Sequence, residues 1–402
     1  MKIHTEVPFS LNDITAEWLT NSLRESGVIG EESVSAFEMK PVGEAAGFNG
    51  EVVILSLSYS EPLSEAPKTM VMKIPTALKN RILGQTLGLY EKEIRFYRDL
   101  NPEMNIRTPG HYYSALDAAD DPDMVLERLK GINKLPMWLI SMVIAFGQWV
   151  VQRTPRRYVL LIEDLSRFRL GDQVRGCSEE DVRRVLRTLA ALHAQFWDSD
   201  KLQQMSWISP VESTSRIIHL MYLQSGEKFR KAELANLTDR QHSLIDWLRK
   251  NGAALTEMLG KEPRTLLHGD VRLDNVCFDD DHDDVILYDW QTMLTGPAGM
   301  DLAYFLSATL PLDVSDEETA ELISFYHDQL AHHGIEISLD QLQWQYEACM
   351  LAILHRNLPT VHQHRIDLGS DRGPQMIRDW VYKTYARLEG VDFESVFDRA
   401  RS

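Results

Sequence analysis

The sequence predicts an α+β protein in two lobes, a small antiparallel sheet followed by a mainly helical part. Three observations carry this expectation. Between residues 34 and 74, VSAFEMKPV, EVVILSLSYS and TMVMKIP alternate apolar and polar residues with the period of two that strands require. From EEDVRRVLRTLAALHAQFW, residues 179–197, onward, apolar residues recur mainly at helical spacing. The 402 residues, 44% hydrophobic and 25% charged, exceed one small core and are amply apolar for two. We place the N-terminal lobe at 1–160, including an apolar insertion at 130–158, and the helical lobe at 161–402.

In chain order, SLNDITAEWLTNSLRESG opens on cap-type residues and stops at Gly27, which reads as a helix. The three strands follow, with SEPLSEAPK as the hairpin loop between the second and third. QTLGLYEKEIRFYRDL, residues 85–100, reads as one helix; GHYYSALD and YVLLIEDL read as further strands, and MVLERL at 124–129 offers another. LPMWLISMVIAFGQWVV, residues 135–151, falls short of the roughly 20 apolar residues that span a bilayer and holds Pro136, Ser141, Gly147 and Gln148. It reads as a buried or pocket-covering helix, its Trp and Met residues serving core packing. A weak interfacial membrane contact is the alternative, because two tryptophans are followed by Arg153, Arg156 and Arg157. Strand segments return only around 275–289.

The net charge of −18 disfavours nucleic acid as a partner and general adsorption to anionic membranes. Cys177, Cys277 and Cys349, odd in number and widely spaced, form neither a disulfide framework nor a zinc motif, which fits a reducing cytoplasm. The polar, acidic first residues lack the apolar core of a signal peptide.

The chemistry sits in LLHGDVRLDNVCF, residues 266–278, where Asp270 and Asn275 are five apart in a short loop walled by apolar runs. Asp289 follows at the end of the buried-type strand VILY, and the polar turn DDDHDD between them makes a hairpin that presents all three together. Two carboxylates and an amide oxygen suit Mg²⁺, a hard cation that keeps waters or substrate phosphates. An Asp in such a loop can also accept the proton of a hydroxyl, as in phosphoryl transfer. That chemistry needs three more parts. GEAAGFNGEVV supplies Gly43, Gly47 and Gly50 ahead of a strand, a weak signal alone. TMVMKIP supplies Lys73. In YEKEIRFYRDL, Tyr90, Glu93, Tyr97 and Leu100 share one helix face, so Glu93 lies on the apolar stripe, where a carboxylate needs a partner; Lys73 is the candidate. Glu91 points elsewhere and can pair with Arg95. A GxxxxGK[ST] motif is absent, which disfavours a P-loop enzyme.

HGDVRLDN, YDWQ and GPAGMDLAYFL together resemble the aminoglycoside phosphotransferase and choline-kinase-like family, and YVLLIEDL with GDQVRGCS resembles its ecdysteroid-kinase-like branches; the likeness covers roughly 40–310. The resemblance implies a protein-kinase-like two-lobed fold with ATP in the cleft. It implies Asp270 as catalytic base, Asn275 and Asp289 as Mg²⁺ ligands, Lys73 on the ATP phosphates with Glu93 as its partner, and residues 161–165, including Glu163 and Leu165, as the hinge that meets adenine. Asp301 and His268 would brace the loop. Arg272 would steady the γ-phosphate, a surface salt bridge being equally open. The motif reads DWQ where protein kinases have DFG, which suits the small-molecule branch, and no APE-like end follows it.

The expected activity is therefore an ATP- and Mg²⁺-dependent phosphotransferase on the hydroxyl of a small molecule. The apolar insertion leans toward an apolar or acyl-type alcohol. A hydroxyacyl-CoA would find its cations in QRTPRR, 152–157; an aminoglycoside or choline-like acceptor would want an acidic cleft. A nucleotide-binding regulatory module without turnover is the rival from another class. His193 reads as a core histidine; His355, His362 and His364 read as a helix end or acceptor rim; DDDHDD reads as a solvated turn.

Overall fold

The protein is described by a computed structural model covering residues 5–42, 50–61, 66–75, 84–85, 88–118, 121–232, 236–358 and 372–401. Strands β1 (Val34–Pro41), β2 (Gly50–Tyr59), β3 (Thr69–Pro75), β4 (His111–Leu116) and β5 (Tyr158–Glu163) form one antiparallel sheet in the order β1-β2-β3-β5-β4. The chain thus returns from a long excursion to place β5 between β3 and β4. Its sequence explains why: YVLLIE is apolar almost throughout, and a strand covered on both faces has no polar side to show. Val159 and Leu161 join Met70, Met72, Leu55 and the helix Ala16–Glu25, through Trp18, Leu19 and Leu23. Leu160 and Ile162 point the other way, into the core shared with the helical lobe.

The helix expected over 85–100 is shorter and less regular. An α-helix runs Leu89–Arg95, entered from Gly88 at φ +66°, and then widens into one π turn, Phe96–Leu100. Burial follows the expected face, with Tyr90, Glu93, Tyr97 and Leu100 all buried. Tyr90 stacks on Tyr158 of β5 at 4.2 Å. Phe96 stacks on Trp290 of the helical lobe at 4.1 Å, with the rings 9° from parallel.

MVLERL is not a strand. It lies in the helix Pro122–Ile132, whose start is fixed by Asp121 accepting from Asp123 N–H and by Pro122 in the first turn. A second helix, Met137–Arg153, packs on the helix Ser215–Ala232 with Ile140 fully buried. Asn133 Nδ2 donates to the Glu212 and Ser213 carbonyls, both at 3.0 Å, and Arg216 Nη2 to the Leu135 carbonyl at 3.1 Å. The expected core role of the aromatic and Met residues here is wrong: Trp138, Met142, Phe146 and Trp149 are exposed. Among the described residues, no helix is long and apolar enough to cross a membrane.

The helical lobe surrounds Gly299–Thr309, every residue of which is buried. Two small ladders hang from it. One pairs β6 (Arg169–Leu170), β8 (Val276–Asp279) and β9 (Asp284–Leu287); the other pairs β7 (Thr265–Leu267) with β10 (Leu294–Gly296). The acidic turn between β8 and β9 is not simply solvated. Asp279 takes Arg107, Asp280 takes Arg169 and Arg184 at 2.7 Å each, and Asp283 takes Arg187 at 3.2 Å. The hairpin behind the loop is thereby clipped to the helix Glu179–Gln195 and to β6.

Candidate active site

The loop that leaves β7 is set by its backbone. Gly269 adopts φ +78°, and a Cβ there would lie 2.5 Å from the Thr292 carbonyl and 2.7 Å from Leu294 Cδ2, so only glycine fits. Asp301, in the first turn of the buried helix, accepts His268 N–H at 2.7 Å and Gly269 N–H at 2.9 Å. His193 Nε2 stands 3.3 Å from the same carboxylate, and its Nδ1 2.5 Å from the Tyr326 hydroxyl. Burial opposes the charge on Asp301, but hydrogen bonds from His193 and from Gly269 N–H hold it below the ordinary carboxylate value. His268 Nε2 lies 2.9 Å from the Tyr288 carbonyl, which ties the loop to the segment after β9 that bears Asp289.

Asp270 emerges from this frame with a defined orientation. Asn275, in the 3-10 turn Leu273–Asn275, donates its Nδ2 to the Asp270 carbonyl at 2.8 Å and to Oδ2 at 3.0 Å. With Nδ2 so engaged, Oδ1 is the Asn275 side-chain atom with the chemistry to ligate a cation. The Tyr304 hydroxyl donates to Asp270 Oδ1. Burial pushes the Tyr304 phenol well above its ordinary value, and Asp270 adds to this, so it stays a donor at neutral pH. Arg272 is not a surface residue. It is buried, with Nε 3.4 Å from Asp270 Oδ2 and Nη1 2.9 Å from Asp274 Oδ2.

Across the cleft, Lys73 on β3 places Nζ 2.5 Å from Glu93 Oε1 and 3.2 Å from Asp289 Oδ1. Burial disfavours the ammonium, but Asp289 and Glu93 together outweigh it and raise Lys73 above its ordinary value. Burial raises Glu93, the Lys73 charge pulling against it; for Asp289 the Lys73 charge overcomes burial and lowers the carboxyl. Glu91 instead pairs with Arg95 at 2.8 Å. Asp289 sits at φ +67°, an uncommon left-handed backbone for a non-glycine residue and one Asp tolerates better than most. Its Oδ2 accepts Gln291 Nε2 at 3.1 Å.

The expected hinge, 161–165, takes in the end of β5 and the two residues after it. Glu163 binds Gly110 N–H at 3.1 Å and Arg167 Nη2 at 2.8 Å through its side chain, and donates its own N–H to the Gly110 carbonyl. Leu165 packs on Cys277 and Ile286, and its N–H finds no partner among the described residues. Gly50 opens β2, while Gly43 and Gly47 lie outside the described residues. Of the basic run QRTPRR, Arg156 stands 3.7 Å from Glu91 and Arg157 is 3.2 Å from Asp117. His355 is no acceptor rim: it is buried against His219, 2.9 Å away, and burial lowers it to about 3; His362 and His364 lie outside the described residues.

The sequence signature of the Ecdysteroid kinase-like family matches residues 46–338. The chain belongs to this family. Comparison with curated proteins finds no match. Among solved structures, a choline kinase from Cryptosporidium parvum Iowa II is similar at 12% identity and TM-score 0.52, over 96% of this chain and 97% of that one. This likeness concerns the fold, which is protein-kinase-like in two lobes. A choline/ethanolamine kinase family protein from Mesorhizobium loti aligns at 12% identity and TM-score 0.46, covering 90% and 92% of the two chains. An aminoglycoside phosphotransferase from Streptomyces rimosus, solved with ADP and streptomycin, aligns at 12% and 0.42, covering 78% and 92%.

The span matching the Ecdysteroid kinase-like family takes in Lys73, Glu93 and the loop, but not Gly43. Within it, three residues escaped the sequence reading. Tyr304 stands three after Asp301, one turn along the same helix, a spacing that could have directed attention to it. Gln173, in the quoted GDQ, accepts Leu273 N–H at 2.8 Å, donates to the Ala308 carbonyl at 2.8 Å, and places its own N–H 2.9 Å from Asp274. Gln291, the last letter of DWQ, aims Asp289. The donor set fits Mg²⁺ in its chemistry, with one amide oxygen and one carboxylate. Among the described residues no three His, Cys, Asp or Glu side chains form a metal cage, so such an ion would complete its shell with phosphate oxygens and water.

Proposed function

We propose that this protein is an ATP- and Mg²⁺-dependent phosphotransferase acting on the hydroxyl of a small molecule. The supporting observation is the convergence of Asp270, Asn275 and Asp289 from one wall of the cleft with Lys73, anchored by Glu93, from the other. In this reading Asp270, steadied by Asn275 and Tyr304, orients the acceptor hydroxyl and takes its proton. Lys73 binds the nucleotide phosphates and Arg272 offsets charge on the transferring group, so catalysis is mainly positioning and electrostatics. The hinge at 161–165 receives the adenine, the open N–H of Leu165 being the donor. Asn275 and Asp289 would hold Mg²⁺, which when bound supplies charge neutralisation between the phosphates.

The acceptor we favour is an apolar or acyl-type alcohol. Each carboxylate gathered here already faces a cation: Asp270 and Asp274 face Arg272, while Glu93 and Asp289 face Lys73. Arg272 and Lys73 are each shared by two of these acids, and what favours an apolar acceptor over a cationic one is the apolar insertion at 130–158. The decisive measurement is a mass increase of one phosphate on an alcohol incubated with enzyme, ATP and Mg²⁺, drawn from a panel of apolar, acyl and amino alcohols. Asp270→Asn should abolish that transfer by a factor of about 10³ or more while nucleotide still binds. Unchanged turnover in Asp270→Asn would eliminate the mechanism; nucleotide binding without any ATP consumption across the panel would eliminate the enzyme.

A further inference from the structure

The helix Met137–Arg153 is apolar on nearly every side. One face is set by the fully buried Ile140, with Ile144, Gly147 and Val151 at similar helical angles, and packs on Ser215–Ala232. On the other, Trp138, Met142, Phe146 and Trp149, spaced i, i+4, i+8 and i+11, are 65%, 60%, 65% and 50% exposed. A helix apolar all round is at home where both faces are covered. Here, among the described residues, the protein covers one. Single exposed apolar residues are ordinary, but four large ones in a stripe, two of them tryptophan, mark a contact surface.

Charge says what kind. Residues 131–158 contain no Asp or Glu, although the chain as a whole carries −18. Lys134 stands just ahead of the helix and Arg153 at its last residue, and neither is ion-paired among the described residues. The Arg153 guanidinium lies 3.9 Å over the Trp149 ring, itself stacked on Phe146 at 5.8 Å. The stripe therefore ends in cations at both termini. At physiological ionic strength fields decay over about 8 Å, so these local charges outweigh remote acidity in a contact. Aromatic residues flanked by Lys and Arg suit the boundary between lipid headgroups and acyl chains. A second copy laid stripe to stripe would instead bring like-charged ends together.

We propose that this face seats on an anionic lipid surface. Trp138, Met142, Phe146 and Trp149 enter the acyl boundary, and Lys134 and Arg153 meet the headgroups. This concerns where the protein sits and is independent of what it phosphorylates. The test is co-sedimentation of the full chain with phosphatidylcholine vesicles, with and without phosphatidylglycerol. The protein should pellet with the mixed vesicles, more weakly with phosphatidylcholine alone. W138S/F146S/W149S should bind roughly a hundredfold more weakly, with unchanged Tm and nucleotide affinity. K134Q/R153Q should keep the weak binding and lose the preference for phosphatidylglycerol. Failure of the unmodified protein to pellet with either vesicle overturns the proposal, as does a triple variant that binds equally well. A dimer in sedimentation velocity that the triple variant makes monomeric, without vesicle binding, would assign the stripe to a second copy and also overturn it.

Discussion

The two walls of the cleft are built on different physics. The sheet wall holds its side chains by charge: Lys73 is fixed by Glu93 and Asp289, all three buried or nearly so. The loop wall holds its side chains by hydrogen bonds. Asp301, Gln173 and His268 grip the backbone, while Asn275 and Tyr304 grip the Asp270 carboxylate. A buried ion pair is replaceable by apolar packing but badly upset when one partner is lost. A saturated network specifies one geometry, and each deletion strands a buried group. The sheet wall should therefore tune nucleotide affinity, and the loop wall should set turnover and stability.

The largest effect should come from the loop wall. Asp301→Ala strands the His268 and Gly269 N–H groups and the His193 ring, and should destabilise by about 3–5 kcal/mol in urea unfolding. A loss below about 1 kcal/mol would show that the loop holds without its brace. On the sheet wall, Lys73→Met leaves Glu93 and Asp289 facing each other and should weaken ATP binding by about 10²-fold in calorimetry. A double-mutant cycle with Glu93→Gln should show coupling of about 1–3 kcal/mol, and additivity would contradict the pairing.

Acid separates both walls from the rest of the lobe. Asp289 and Asp301 are lowered from 3.8, so their contributions are present above that value and lost only at lower pH. His355 is lowered from 6.5 to about 3, so the unfolded chain takes up the proton first. Stability present above pH 6.5 should fall by about 2 kcal/mol on going from pH 7 to pH 5. His355→Asn should flatten that slope; an unaltered slope would place the acid sensitivity elsewhere. The smallest effect expected is Tyr304→Phe, about a tenfold drop in kcat with little change in KM, because the phenol only steadies Asp270. A change in KM alone would assign Tyr304 to acceptor binding.

Much of this was legible in the residues. A carboxylate on an apolar helix stripe has to find a cation, so Glu93 could be chosen over Glu91 from spacing alone. The β3 lysine and the alternating strands were equally visible. The helix Leu89–Arg95 was overdrawn because periodicity does not reveal a π turn at Phe96–Leu100. MVLERL misled because a short apolar run reads as strand or helix, and its Asp-Pro start was the deciding signal. Gln173 acts through a contact about 100 residues away, on Leu273, and no local pattern announces such a partner, whereas Gln291 stands only two residues after the Asp289 it aims. The outward face of Met137–Arg153 was hidden for a different reason: composition records how apolar a helix is, not which side the protein leaves uncovered.

The stack of Phe96 on Trp290 has a mechanical consequence. Phe96 follows the helix that carries Glu93, and Trp290 adjoins Asp289, so one pair of rings joins the parts that would sense nucleotide on opposite sides of the cleft. A hinge motion that separates the lobes must slide these rings or drag the Asp289 segment along with it. On the proposed function, opening for nucleotide exchange would re-aim that carboxylate in the same stroke, geared by two aromatic planes.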